Sequence, residues 1–77
     1  MNNLSDIIYF HRKKAGLSRI QLAQLACVGK TVIYDLEKGK QSIRWDIIQA
    51  ILQTLNITIE LQSPLMELYE KSKNTNT

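Results

Sequence analysis

The hydrophobic positions in the first half of the chain recur at intervals of three and four, which predicts a series of short helices. The first helix has Asn3 or Ser5 available as its N-cap and ends at Gly16 in the manner of a C-cap glycine. Ser18 is the N-cap expected for a second helix, and Gly29 breaks the pattern after only two turns.

Two further helices follow. The third is predicted over Lys30 to Lys38 and closed by Gly39, and the fourth over Arg44 to Leu55. The fourth helix carries a strong apolar stripe, and we expect Trp45 at its start to pack beneath it, the alternatives being a place in a dimer or beside a phosphate.

The period changes from helical to alternating at residue 56. Residues 56–62 alternate apolar with polar side chains and are rich in β-branched residues, which predicts a half-buried strand carried by Ile57, Thr58, Ile59, Glu60 and Leu61. No other segment offers a second strand, so we expect this one to pair antiparallel with the same strand of a second copy across a two-fold axis. The alternative is an irregular extension packed on the fourth helix.

The length of 77 residues allows one small domain, which we place at residues 1–63. The tail, residues 64–77, allows one or two amphipathic turns from Leu65 to Tyr69 and then a polar, disordered end. The N-terminus lacks the basic start and apolar stretch of a secretory signal, and no apolar run reaches the roughly 20 residues of a membrane span. With Cys27 as the single cysteine, the sequence favours a cytoplasmic protein without disulfides.

The distribution of charge points to a polyanion partner. Residues 1–44 contain eight Lys and Arg and three Asp and Glu, a net of +5, whereas residues 45–77 carry a net of −2. A basic half suits phosphate binding, and the alternative is a solvated basic face. One histidine, one cysteine and seven scattered acids offer little for catalysis, so we expect no enzyme, no metal and no cofactor, and we assign His11 and Cys27 to packing or the surface.

Residues 16–40 contain the parts of a helix-turn-helix. Ala23 is small where two helices would cross, and the apolar contacts that set the crossing would come from Leu22, Val28, Ile33 and Leu36. Between these positions, one outward helical face of a size that fits the major groove would carry Lys30, Thr31, Tyr34 and Asp35.

The stretch from Gly16 to Lys40 resembles the helix-turn-helix of the Cro/phage-repressor-like (Xre) family of bacterial regulators. The stretch from Trp45 to Leu61 looks like the fourth helix and C-terminal strand of the HipB-type antitoxins within that family. The resemblance implies an all-α, four- to five-helix, lambda-repressor-like domain whose C-terminal β-strand pairs between the subunits of a homodimer.

The resemblance also implies roles for individual residues. Base edges would be contacted by Lys30, Thr31, Tyr34 and Asp35, and phosphates by Arg19, Lys38, Lys40, Ser42 and Arg44. The family usually places Gln where this chain has Arg19, and Ser or Thr as the cap where it has Gly29. Arg12 and Glu37 match an inward ion pair that ties the first helix to the third.

Two functions are compatible with these features. The first is a dimeric, sequence-specific repressor that binds palindromic half-sites in double-stranded DNA and regulates its own operon. It would also serve as the antitoxin of a HipA-like kinase toxin, which the resemblance to the subfamily implies. The alternative is a phage-type or stand-alone Xre repressor with no toxin partner.

Overall fold

The computed structural model describes residues 3–75, and this part of the chain contains five α-helices and no β-strand. The helices are α1 (Leu4–Lys14), α2 (Arg19–Ala26), α3 (Val32–Glu37), α4 (Trp45–Thr54) and α5 (Met66–Thr75). None of the helices in this range is long and apolar enough to cross a membrane.

Side-chain caps start the first two helices where the sequence predicts them. Asn3, rather than Ser5, caps α1, since its Oδ1 accepts a hydrogen bond from the Asp6 amide at 2.9 Å. Ser18 and Gln21 form a reciprocal capping box at α2: Ser18 Oγ accepts from the Gln21 amide at 3.0 Å, and Gln21 Oε1 accepts from the Ser18 amide at 2.8 Å.

The first four helices all end in the same motif. A residue with positive φ follows each helix, and the next amide donates a hydrogen bond to the carbonyl five residues earlier, over 2.8 to 3.1 Å. Glycine occupies the positive-φ position after α1 and α3, at Gly16 and Gly39, as predicted. Cys27 and Asn56 take it after α2 and α4, with φ of 58° and 59°.

The turn between α2 and α3 differs from the prediction at both ends. Cys27, and not Gly29, stops α2, because Cys27 adopts the left-handed conformation and the next amide closes the motif on Ala23. The prediction that α3 starts at Lys30 is wrong by two residues. The Gly29 carbonyl accepts from the Val32 amide at 3.1 Å, so residues 29–32 form a turn that leads into α3.

The core lies where α2 packs against α3 and α4, with α1 against α3. Its buried side chains are Ile8, Leu22, Ala23, Ala26, Ile33, Leu36, Ile51 and Leu52. The expectation for Trp45 is wrong, because 55% of this residue is exposed. Trp45, in the first turn of α4, is not among the residues packed against the core, whereas Ile43 just before this helix is.

The predicted strand 56–62 does not form within the described residues. Asn56 belongs to the stop of α4, and Ile57 packs against the core behind it. Residues 57–63 contain neither helix nor strand, and no second segment of the described chain offers them an edge. Ile59 and Leu61 are 44% and 77% exposed.

α5 extends further than the one or two turns expected in the tail. It begins at Met66 and continues through Thr75, where the sequence favoured a disordered end; Asn76 and Thr77 lie outside the described residues. Leu65, Leu68 and Tyr69 are about two-thirds exposed, and no side chain of residues 66–73 belongs to the core. The apolar residues of this segment are thus left on the surface.

Candidate nucleic-acid interface

The residues expected to read bases lie around the start of α3. Lys30 and Thr31 occupy the turn before this helix and are exposed, Tyr34 is 48% exposed, and Asp35 is half-buried. The turn presents its side chains because Ile33 and Leu36 anchor the other side of α3 in the core.

The expected reading face is divided into two parts. Lys30, Thr31 and Tyr34 line one shallow depression, which also contains Arg19 at the start of α2. Asp35 lines a second depression with Lys40, Ser42 and Arg44. Tyr34 and Asp35 are adjacent in sequence and therefore about 100° apart around the helix, which accounts for the division.

The cations expected to contact phosphates differ in how far carboxylates compensate them. Lys40 Nζ lies 3.9 Å from Asp35 Oδ2, and Arg44 Nη2 lies 2.8 Å from Asp46 Oδ2, both pairs being solvent-accessible. Across the described residues, Lys30 and Lys38 have no carboxylate within ion-pair distance. Ser42 is exposed. Two uncompensated positive charges therefore lie beside α3.

The structure contains an ion pair between Arg12 and Glu37, the two residues for which the resemblance implies one. Arg12 Nε donates to Glu37 Oε2 at 2.7 Å and Arg12 Nη2 donates to Oε1 at 3.1 Å. The third nitrogen, Nη1, donates to the Leu17 carbonyl at 2.8 Å. Both side chains are almost fully buried, at 6% and 5% exposed. The hydrogen bond to Glu37 raises the pKa of Arg12 despite the opposing effect of burial, so the guanidinium stays charged near neutral pH.

Arg19 has a partner that the sequence did not reveal. Its Nε donates to Glu37 Oε1 at 3.2 Å, so one buried carboxylate accepts hydrogen bonds from two arginines. Its guanidinium carbon also lies 5.5 Å from the centroid of the Tyr34 ring. Lys38 Nζ lies 5.2 Å from the same centroid. The two contacts of Arg19 join residues separated by 15 and 18 positions, which no local pattern predicts.

Lys13 is a further basic residue of the depression that contains Arg19 and Lys30. The adjacent basic pair Lys13 and Lys14 was the only sequence signal for it.

Other polar groups in the described range have structural surroundings. No three His, Cys, Asp or Glu side chains of residues 3–75 are grouped so that they could hold a metal ion. His11 Nδ1 donates to the Ile7 carbonyl of its own helix at 2.6 Å, and the Cys27 side chain is exposed at the end of α2.

Comparison with known proteins gives two matches. The helix-turn-helix family matches residues 8–62, which run from within α1 through α4 and the segment after it. The chain is also 32% identical, over 62 residues, to an uncharacterized HTH-type transcriptional regulator, y4mF, of Sinorhizobium fredii. The matched region covers 80% of this chain and 82% of that relative, so the similarity extends over nearly the whole of both.

Proposed function

The chain belongs to the helix-turn-helix family of DNA-binding transcriptional regulators, and from this premise we propose that it is a dimeric, sequence-specific repressor of its own operon. The observation that carries the proposal is the surface at the start of α3. There an exposed lysine and threonine of the turn before α3 stand together with an exposed tyrosine of α3, beside an arginine of α2, and the other side of α3 is anchored in the core. Such a surface offers hydrogen-bond donors for base edges and positive charge for phosphates.

Base reading is proposed for Lys30, Thr31 and Tyr34 from the first depression, and for Asp35 from the second. Phosphate binding is proposed for Arg19, Lys38, Lys40, Ser42 and Arg44. Two of these cations, Lys40 and Arg44, already lie near carboxylates on the surface. Because exposed ion pairs contribute little to stability, exchanging the carboxylate for a phosphate costs little.

A dimer follows from the small size of the reading surface. One α3 of six residues contacts only a few base pairs, whereas two copies related by a dyad read half-sites about 34 Å apart. We place the pairing at residues 57–61, where Ile59 and Leu61 are exposed and the backbone has no partner strand in the described chain. Antiparallel pairing with a second copy would give the backbone of these residues inter-strand hydrogen bonds and would cover the side chains of Ile59 and Leu61.

Charge reversal beside α3 tests DNA binding. The proposal predicts that Lys30→Glu weakens binding to an operator fragment by about 1–3 kcal/mol per half-site. Lys73→Glu in α5 is the matched control, since it changes the net charge equally but lies far along the chain from the depression. Binding is measured by fluorescence anisotropy at several salt concentrations, with log affinity falling by about 0.9 per log salt for each phosphate neutralised. Equal weakening by both variants would indicate nonspecific electrostatics and refute the proposed site.

We further propose that the repressor is the antitoxin of a HipA-like kinase. Support comes from the resemblance of α4 and the following segment to the HipB type, and from the exposed apolar residues Leu65, Leu68 and Tyr69, which suit a protein partner. Co-expression of this chain with the reading frame beside its gene tests the point. A kinase that co-purifies stoichiometrically supports the antitoxin; a neighbouring frame that encodes no kinase, or one that does not bind, leaves a stand-alone Xre repressor.

A further inference from the structure

We infer that Arg19 is a positioning residue for Tyr34, and that through Tyr34 it sets the base preference of the half-site rather than only binding a phosphate. The inference rests on the proposed function and concerns the same surface. The observation behind it is that one guanidinium, at the start of α2, contacts both a buried carboxylate and the exposed ring at the start of α3.

The first step is the tether of Arg19 to Glu37. Arg19 is 46% exposed, and an arginine at such a position ordinarily samples many rotamers. Here its Nε donates to the Glu37 carboxylate, which is only 5% exposed, so the Nε end of the guanidinium is attached to a buried group. Its two terminal nitrogens form no hydrogen bond within residues 3–75 and remain available to a ligand.

The second step is that Glu37 is itself immobile. Arg12 binds both of its oxygens, and Arg12 is held in turn by the Leu17 carbonyl after α1. Each of these hydrogen bonds has one charged partner or two, which makes it stronger than a bond between neutral groups. A rigid chain of contacts therefore runs from α1 through the buried carboxylate to Arg19.

The third step is the contact between Arg19 and Tyr34. The guanidinium carbon lies 5.5 Å from the ring centroid, and Lys38 Nζ approaches the same ring at 5.2 Å. Of the two cations, Lys38 has no carboxylate partner among the described residues, whereas Arg19 is tethered. Arg19 is thus the contact that can fix the orientation of the ring, and a base edge is discriminated only if the reading side chain has a defined orientation.

The substitution Arg19→Lys separates positioning from charge. Lysine keeps the positive charge for a phosphate, but its single nitrogen cannot both donate to Glu37, as Nε does, and contact the ring, as the rest of the guanidinium does. A phosphate contact alone predicts an unchanged sequence preference. Positioning predicts that the preference for the operator over single-base variants falls about threefold per half-site, with the salt dependence unchanged.

The experiment measures binding to the operator and to a panel of its single-base variants at two salt concentrations. Arg19→Gln is the second variant, and it should lower both the preference and the salt slope. Lys73→Arg is the control, because it exchanges one basic side chain for another in α5, outside both depressions; its preference should equal that of the wild type. Circular dichroism confirms that each variant is folded.

A double substitution tests whether the effect passes through Tyr34. In a Tyr34→Ala background, Arg19→Lys should change the base preference no further, since the side chain that it positions is gone. Retention of the full wild-type preference by Arg19→Lys, or an equal loss in the Tyr34→Ala background, would overturn the inference while the repressor stands. Absence of any preference in the wild-type protein would refute the proposed function itself.

Discussion

Removal of the negative charge on Glu37 is predicted to be among the most damaging substitutions in the chain. Glu37→Gln keeps the shape of the side chain but leaves the Arg12 guanidinium, 6% exposed, without a counterion. The new amide can still accept one hydrogen bond, yet its NH2 group faces a cation. The substitution also weakens the hydrogen bond that ties Arg19 Nε to this buried side chain.

The magnitude follows from the burial of the pair. Breaking a buried ion pair by removing one partner costs about 3–5 kcal/mol, and the retained acceptor of glutamine places this substitution at about 3 kcal/mol. A domain of this length has a free energy of unfolding of roughly 4–12 kcal/mol, so much of it would be lost. The corresponding fall in melting temperature is about 12–24 °C.

Urea unfolding followed by circular dichroism measures the loss, with every variant at the same chain concentration because dimerisation couples to stability. Asp46→Asn is the control: it breaks an ion pair whose side chains are 77% and 62% exposed, and should cost less than about 1 kcal/mol. Replacing both Arg12 and Glu37 by Met should recover part of the lost stability, because no unpaired charge is then buried. The recovery should be incomplete, because the Leu17 carbonyl loses the hydrogen bond from Arg12. A cost for Glu37→Gln no larger than that of the control would refute the reasoning.

Three further predictions concern the helix ends and the core, all measured by urea unfolding. Ser18→Ala removes the capping box of α2 and should destabilise the protein by about 1 kcal/mol; no loss would mean that the box contributes nothing. Cys27→Gly should stabilise it by about 0.5–1 kcal/mol, because the side chain is exposed and φ is 58°; destabilisation would contradict this account of the α2 stop. Ile51→Ala should cost about 2–4 kcal/mol, against less than about 1 kcal/mol for the 57% exposed Ile20→Ala, and similar costs would contradict the assigned core.

Local chemistry made several helix ends predictable. Ser18 followed three residues later by Gln21 is the local pattern of a capping box, and Gly16 and Gly39 supply positive φ without a steric cost. The stop at Cys27 was missed because cysteine rarely adopts that conformation, and Gly29, two residues later, was the stronger local signal. Tertiary packing of Ala23 and Val28 decides the position of this stop, and a local pattern does not contain it.

The candidate site was predictable only where it depends on one element. The exposure of Lys30, Thr31 and Tyr34 follows from the apolar positions of α3 between them. The second role of Arg19 depends on Glu37, 18 residues away, and on a carboxylate shared between two helices, which the spacing along the chain does not encode. Residues 57–61 present the same difficulty, since a strand is defined by its partner, which in our proposal belongs to another chain.

The phase of the two half-sites tests the proposed dimeric DNA reader most directly. Binding is measured to an operator and to the same operator with five or ten base pairs inserted at its centre. Inserting five base pairs rotates one half-site by about half a helical turn and should abolish cooperative binding of the two subunits. Inserting ten returns both half-sites to the same face of the DNA and should recover part of the cooperative binding. Equal affinity for all three fragments would contradict two recognition surfaces fixed across a dyad.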